Sequence, residues 1–180
     1  MIVKIASIIT LSTLLLGCGV TAPSHNPGYV QFDSPIQDGV HKDTVISLGP
    51  RLLRFAARHV DNDPGTKALL QSLDGVRVRV FQLDPDTDFL SLSEKLGIAT
   101  SDAFDESWSP VVRIADLDSR VQVFIKEKNQ TILGLAIVSI DNQEIVFVNV
   151  MGEISPEQLT SLSTVVPHGG ALGFNTFGED

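Results

Sequence analysis

Nucleophilic chemistry needs a serine, cysteine or threonine within reach of a base, and this chain offers few such residues in a usable setting. Cys18 is its one cysteine, and no serine sits in the glycine-flanked elbow that presents a nucleophile between strand and helix. The histidines His25, His41, His59 and His168 are scattered, with no H-x-x-x-H or H-E-x-x-H pair to hold zinc. Asp84-Pro-Asp-Thr-Asp88 starts like a calcium loop, with carboxylates at alternate positions. It then fails, because Phe89 stands at the glycine position and Lys95 at the distal glutamate position. The segment reads better as a turn in which Asp86 or Thr87 caps the following helix. Gly169, Gly170 and Gly173 lack the preceding strand and following helix of a phosphate loop. Carboxylate pairs are too plentiful in so acidic a chain for any one to be informative. The expectation is a protein with no catalytic residue, no metal and no cofactor.

One cationic cluster stands out. Gly49-Pro-Arg-Leu-Leu-Arg-Phe-Ala-Ala-Arg-His-Val60 has helical period, with proline in the first turn, where its missing N–H is harmless. Leu52, Ala56, His59 and Val60 fall at i, i+4, i+7 and i+8, widened by Leu53 and Phe55, and predict the inner stripe. Arg51, Arg54 and Arg58 share the other face. That face reads either as a surface for an anionic lipid, glycan or protein partner, or as an ordinary solvated helix face. His59 reads as a helix-end residue that meets the last carbonyls or packs its ring.

The N-terminus says where the chain goes. Lys4 gives a short charged start, and Ile5 to Leu16 an apolar run too short to span a bilayer. The run closes on Leu15-Leu16-Gly17-Cys18, which resembles the bacterial lipobox. That resemblance implies removal of residues 1–17 as a signal peptide and acylation of Cys18. One acyl chain holds a protein only marginally, whereas several make release negligible. Gly19, rather than an aspartate, follows the cysteine, which points to the outer membrane with the domain facing the periplasm. The formal charge of the whole chain is −9, and the leader carries off one basic residue. So acidic a body excludes nucleic acid as a partner, since phosphate neutralisation needs clustered lysine and arginine. It also leaves anchoring to the acyl chains on Cys18.

The elements that must carry any surface follow from period and punctuation. Residues 18–43, rich in proline, glycine and polar residues, predict a flexible tether from the lipid, with local docking or a short strand at Tyr29, Val30 and Phe32 as the alternative. Residues 44–165 predict one α+β domain, and 166–180 a mobile tail. Alternation predicts an antiparallel sheet of about five strands, at roughly 76–83, 110–117, 120–127, 131–140 and 144–151. Helices are predicted at roughly 50–60, 66–73, 87–96 and 156–163. In the strand at 76–83, Val76, Val78 and Val80 share one face and Arg77 and Arg79 the other, and the two arginines argue that their face, or this edge, meets water. The strands at 131–140 and 144–151 are apolar on both sides, so their second face is covered or used by something else. Ser155, Pro156 and Gln158 form a capping box that opens the last helix.

With VRVRVFQL, WSPVVRI, VQVFIK and EIVFVNVMGEISPEQL in place, the chain resembles a family of bacterial lipoproteins, domain of unknown function 4252 (DUF4252). The resemblance covers roughly Val45 to Ser163 and is most specific at Val148 to Ser155. It implies no activity and no catalytic residue. Three functions remain open: a membrane-anchored, non-catalytic interaction module of the envelope, a carrier of a small apolar ligand between sheet and helices, and an envelope hydrolase.

Overall fold

Alternating β-branched residues separated by short polar turns fold into one antiparallel sheet. The computed structural model describes residues 19–32, 40–155 and 158. In chain order its elements are β1 (Val40–Leu48), α1 (Pro50–Ala57), α2 (Pro64–Ser72), β2 (Leu73–Leu83), α3 (Phe89–Ala103), β3 (Trp108–Ala115), β4 (Ser119–Lys128), β5 (Thr131–Asp141) and β6 (Glu144–Ile154). The strands lie in the order β1-β2-β6-β5-β4-β3, every neighbour antiparallel. The α+β reading therefore holds, with six strands instead of about five.

The added strand is β1. Its VHKDTVISL mixes polar and apolar residues on both faces, which suits an edge, where Val45 and Ile46 are 51% and 49% exposed. The third helix is longer than the expected 87–96. It runs through Gly97 to Ala103, because Leu92, Leu96 and Thr100 keep one buried stripe at i, i+4 and i+8. β6 likewise continues past Gly152, whose φ of 142° accommodates an irregularity in the pairing, to the fully buried Ile154. Of the helix expected over 156–163, Gln158 alone lies among the described residues. The capping box is formed there: Ser155 N donates to Gln158 Oε1 at 2.9 Å, and Gln158 N to Ser155 Oγ at 3.4 Å.

Strand register sorts the side chains onto two faces. Phe81, Phe124, Ala136, Val138, Ile140, Ile145, Phe147, Asn149 and Met151 share a covered face. Leu92 and Leu96 of α3 close one half of it, and Val30 and Phe32 the other. The opposite face carries Ile46, Val78, Val80, Val146, Val148, Ile137, Val121, Val123, Val112 and Ile114. Leu53 of α1 and Leu69 of α2 pack at one end of this second face, with Leu48, Val76, Ile125 and Val150. Ile46, Val112 and Ile114 stay exposed, and the valines between them are half-buried.

Residues 18–43, expected to be a flexible tether, are corrected for the stretch 19–32, which is a strap laid across the covered face. Val30 and Phe32 are 4% and 3% exposed, and the Phe32 ring stacks on Phe147 at 4.4 Å. Composition hides this because the strap adds no strand. Instead of a strand ladder, side chains of the sheet meet several of the strap's backbone groups: Ala22 N donates to Ser47 Oγ at 3.0 Å, and Val30 N to Asn149 Oδ1 at 3.1 Å. The leader, Cys18 and the tail 166–180 lie outside the described residues.

The β4–β5 hairpin turns through Asn129 and Gln130, both left-handed at φ 54° and 64°. Such a two-residue turn favours Asn-Gly, and a non-glycine residue in that region is strained by roughly 1 kcal/mol. Gln130→Gly is expected to raise the thermal midpoint by about 2–4 °C. A calorimetric midpoint that falls would contradict this.

Candidate functional site

The arginine helix is built as expected on one side only. Arg51, Arg54 and Arg58 are all exposed. The inner stripe is Leu53 and Ala57, at 4% and 0% exposure, one position on from the predicted Leu52 and Ala56. The shift turns Leu52 (40% exposed) and Phe55 (58% exposed) outward among the arginines. His59 donates from Nδ1 to Phe55 O at 2.9 Å and sets its ring 4.6 Å from that of Phe55.

Arg77 and Arg79 overturn the reading of β2. They point to the covered face, and Val76, Val78 and Val80 to the open one. Arg77 donates from Nη1 to the Tyr29 hydroxyl, with its guanidinium carbon 5.2 Å from the Tyr29 ring centre. Arg79 Nη1 donates to Phe32 O at 2.7 Å, and its Nη2 pairs with Asp43 Oδ2 at 2.7 Å. These hydrogen bonds hold the Asp43 carboxyl below the usual aspartate range. The charges are affordable inside because the strap brings them partners and covers their stems.

Under α3 lies a second cluster that sequence reading missed. Arg113 of β3 sits opposite Gln122 of β4, with Arg120 two residues along on the same face. Arg120 and Gln122 line a cavity of about 70 Å³ with Ser93, Leu96 and Thr100. A groove of about 390 Å³ adjoins it, reaching Arg113, Trp108 and Phe104. The hydroxyls are already used inside α3, Ser93 Oγ donating to Leu90 O and Thr100 Oγ1 to Leu96 O. Arg120 Nε, in contrast, is buried without a hydrogen-bond partner. A buried donor left unmet costs about 1–3 kcal/mol. Arg120→Met is accordingly expected to leave stability unchanged or raise it by about 1 kcal/mol in urea unfolding. A loss above that size would mean that the guanidinium has a partner. The enclosed space is small beside the roughly 300–1,000 Å³ of ordinary ligand sites.

Asp84 to Asp88 is a turn and a cap, as expected, although the capping residue is Asp88, whose Oδ2 accepts from Ser91 N at 3.0 Å. Among the described residues no group of three or more His, Cys, Asp or Glu could hold a metal ion. Hydroxyl donors depress two surface carboxylates, Thr66 at Asp63 and Ser107 at Asp105, and each is a local turn or cap.

A family model described as a domain of unknown function (DUF4252) matches residues 40–162. The chain belongs to that family. No match to a curated protein accompanies it. The DUF4252 match takes in the six strands and three helices of the described residues, and starts at β1, so the strap precedes it. Within it, Asn149 holds the strap at two backbone groups. It is fully buried and donates from Nδ2 to Gly28 O at 2.9 Å, while accepting from Val30 N. Its sequence signal was one asparagine amid the β-branched run Val146 to Val150, where a polar side chain must find partners on the same face.

Proposed function

We propose that this DUF4252 chain is an envelope lipoprotein, held to the outer membrane by acyl chains on Cys18, whose periplasmic domain is a non-catalytic interaction module. The observation that carries the interaction role is the open sheet face. Six strands contribute β-branched residues to it, and the helices among the described residues cover one end. An apolar surface of this continuity on a folded domain marks a contact site, and another envelope protein is the partner it suits. The anchor rests on the charged start, the apolar run and the Leu15 to Cys18 motif. Among the described residues no helix is long and apolar enough to cross a membrane.

Two measurements test the two halves. Radioactive palmitate should label the wild type and not Cys18→Ser; equal labelling of both ends the anchor reading. A photo-crosslinking side chain at Ile114, on the open face, should give a discrete adduct in intact cells. The same group at Lys67, on the exposed side of α2, should not. Adducts at neither position would remove the interaction role.

A further inference from the structure

We infer that α1 is a membrane-contact helix, seated on the anionic phospholipid surface beside the acylated residue. The inference rests on lipidation of Cys18 and goes beyond it by fixing which side of the domain meets the bilayer. The strap is what decides this. Gly49 N donates to Val20 O at 2.6 Å, and Arg51 N donates to Gly19 O at 3.0 Å. The Arg51 side chain lies against Gly19 as well. Cys18 is one peptide unit from Gly19, about 3.8 Å between Cα atoms. The acyl chains therefore start at the first turn of α1, and no free linker lies between lipid and domain.

The helix suits that position. At about 100° per residue, Arg51, Phe55, His59 and Leu52 occupy one arc, with Arg58 and Arg54 on its flank. Buried Leu53 and Ala57 lie on the other side. An exposed phenylalanine and leucine bordered by arginines is the pattern of a helix lying in the headgroup region, rings toward acyl chains and guanidiniums on phosphates. Val20, 41% exposed, extends the apolar patch toward the anchor. The rest of the domain is acidic, so an anionic surface repels other orientations.

The test uses the full-length lipoprotein reconstituted in phosphatidylglycerol-containing vesicles. Acylation occupies the native cysteine, so Phe55→Cys supplies one free thiol for an environment-sensitive dye. Leu117→Cys is the control, 93% exposed in the β3–β4 turn at the other end of the sheet. Dye at position 55 should be quenched by lipids with spin-labelled acyl chains, and dye at 117 should not. Each arginine changed to glutamine should lower the docked-to-undocked ratio roughly fivefold in anionic vesicles, and much less in neutral ones. Equal solvent exposure at 55 and 117 in a protein that carries acyl label overturns the contact and leaves the anchor standing. Absence of acyl label removes both.

Discussion

Asn149→Leu is expected to cost about 3–5 kcal/mol of folding stability, far more than the loss of one surface hydrogen bond. Leucine fills nearly the same space, so the change isolates polarity. Val30 N then loses its acceptor, 3.1 Å away, and Gly28 O its donor, 2.9 Å away, at a site with no access to water. Each orphaned group contributes about 1–3 kcal/mol. A weaker donation from Nδ2 to Leu135 O at 3.3 Å goes too. The urea midpoint reads the effect, and a loss under about 1 kcal/mol would mean that Asn149 does not latch the strap. Asn149→Asp adds a sign. Only a protonated carboxyl can both donate to Gly28 O and accept from Val30 N, so burial raises its folded pKa. Its stability should be greatest below the ordinary aspartate range and decline as pH rises through the folded value.

Gly28→Ala should be of similar size for a different reason. A Cβ there would stand 1.9 Å from Leu133 O and 2.9 Å from Gly134 Cα, both backbone atoms of β5 that cannot rotate away. The strap must lift, exposing Val30 and Phe32, whose burial is worth about 1.5–3 kcal/mol each. Proteolytic cleavage within residues 19–32 should appear in the variant before the sheet is cut. Because both substitutions undo one docked segment, the double variant should be barely less stable than the worse single. Additive losses would show that the strap does not act as a unit.

Much of the architecture could be read from period alone, because β-branched alternation and two-residue turns are local signals. The four consecutive strands from Trp108 to Ile154 came through with shifts of a few residues. What escaped was non-local. β1 was invisible because an edge strand need not be apolar on either face, and its partner β2 lies on the far side of two helices in sequence. The orientation of β2 was inverted because arginine reads as solvent-facing. Arg79 is satisfied by Phe32 O and Asp43, and neither adjoins it in the chain. Docking of the strap through Tyr29, Val30 and Phe32 stood only as the alternative to a tether, because so few apolar anchors carry no repeat from which a period could be taken. For α1 the stripe was one residue out, and that residue moved Leu52 and Phe55 from core to surface. Arg51, Arg54 and Arg58 were legible as one face; their place beside the start of the strap was not, since hydrogen bonds from Gly49 and Arg51 to Val20 and Gly19 set it.

The latch also imposes an order on folding. Val30 and Asn149 are 119 residues apart in the chain, while β3 to β6 pair through short hairpins that close quickly. Strand β2 must then cross to β6, joining Leu73–Gln82 to Glu144–Gly152. The strap docks only onto that finished pair. Synthesis runs from the N-terminus, so the segment made earliest waits for nearly the whole domain, and Phe81 and Phe147 stay uncapped in the interval. A nascent or partly folded chain therefore carries an open aromatic surface that the finished fold conceals.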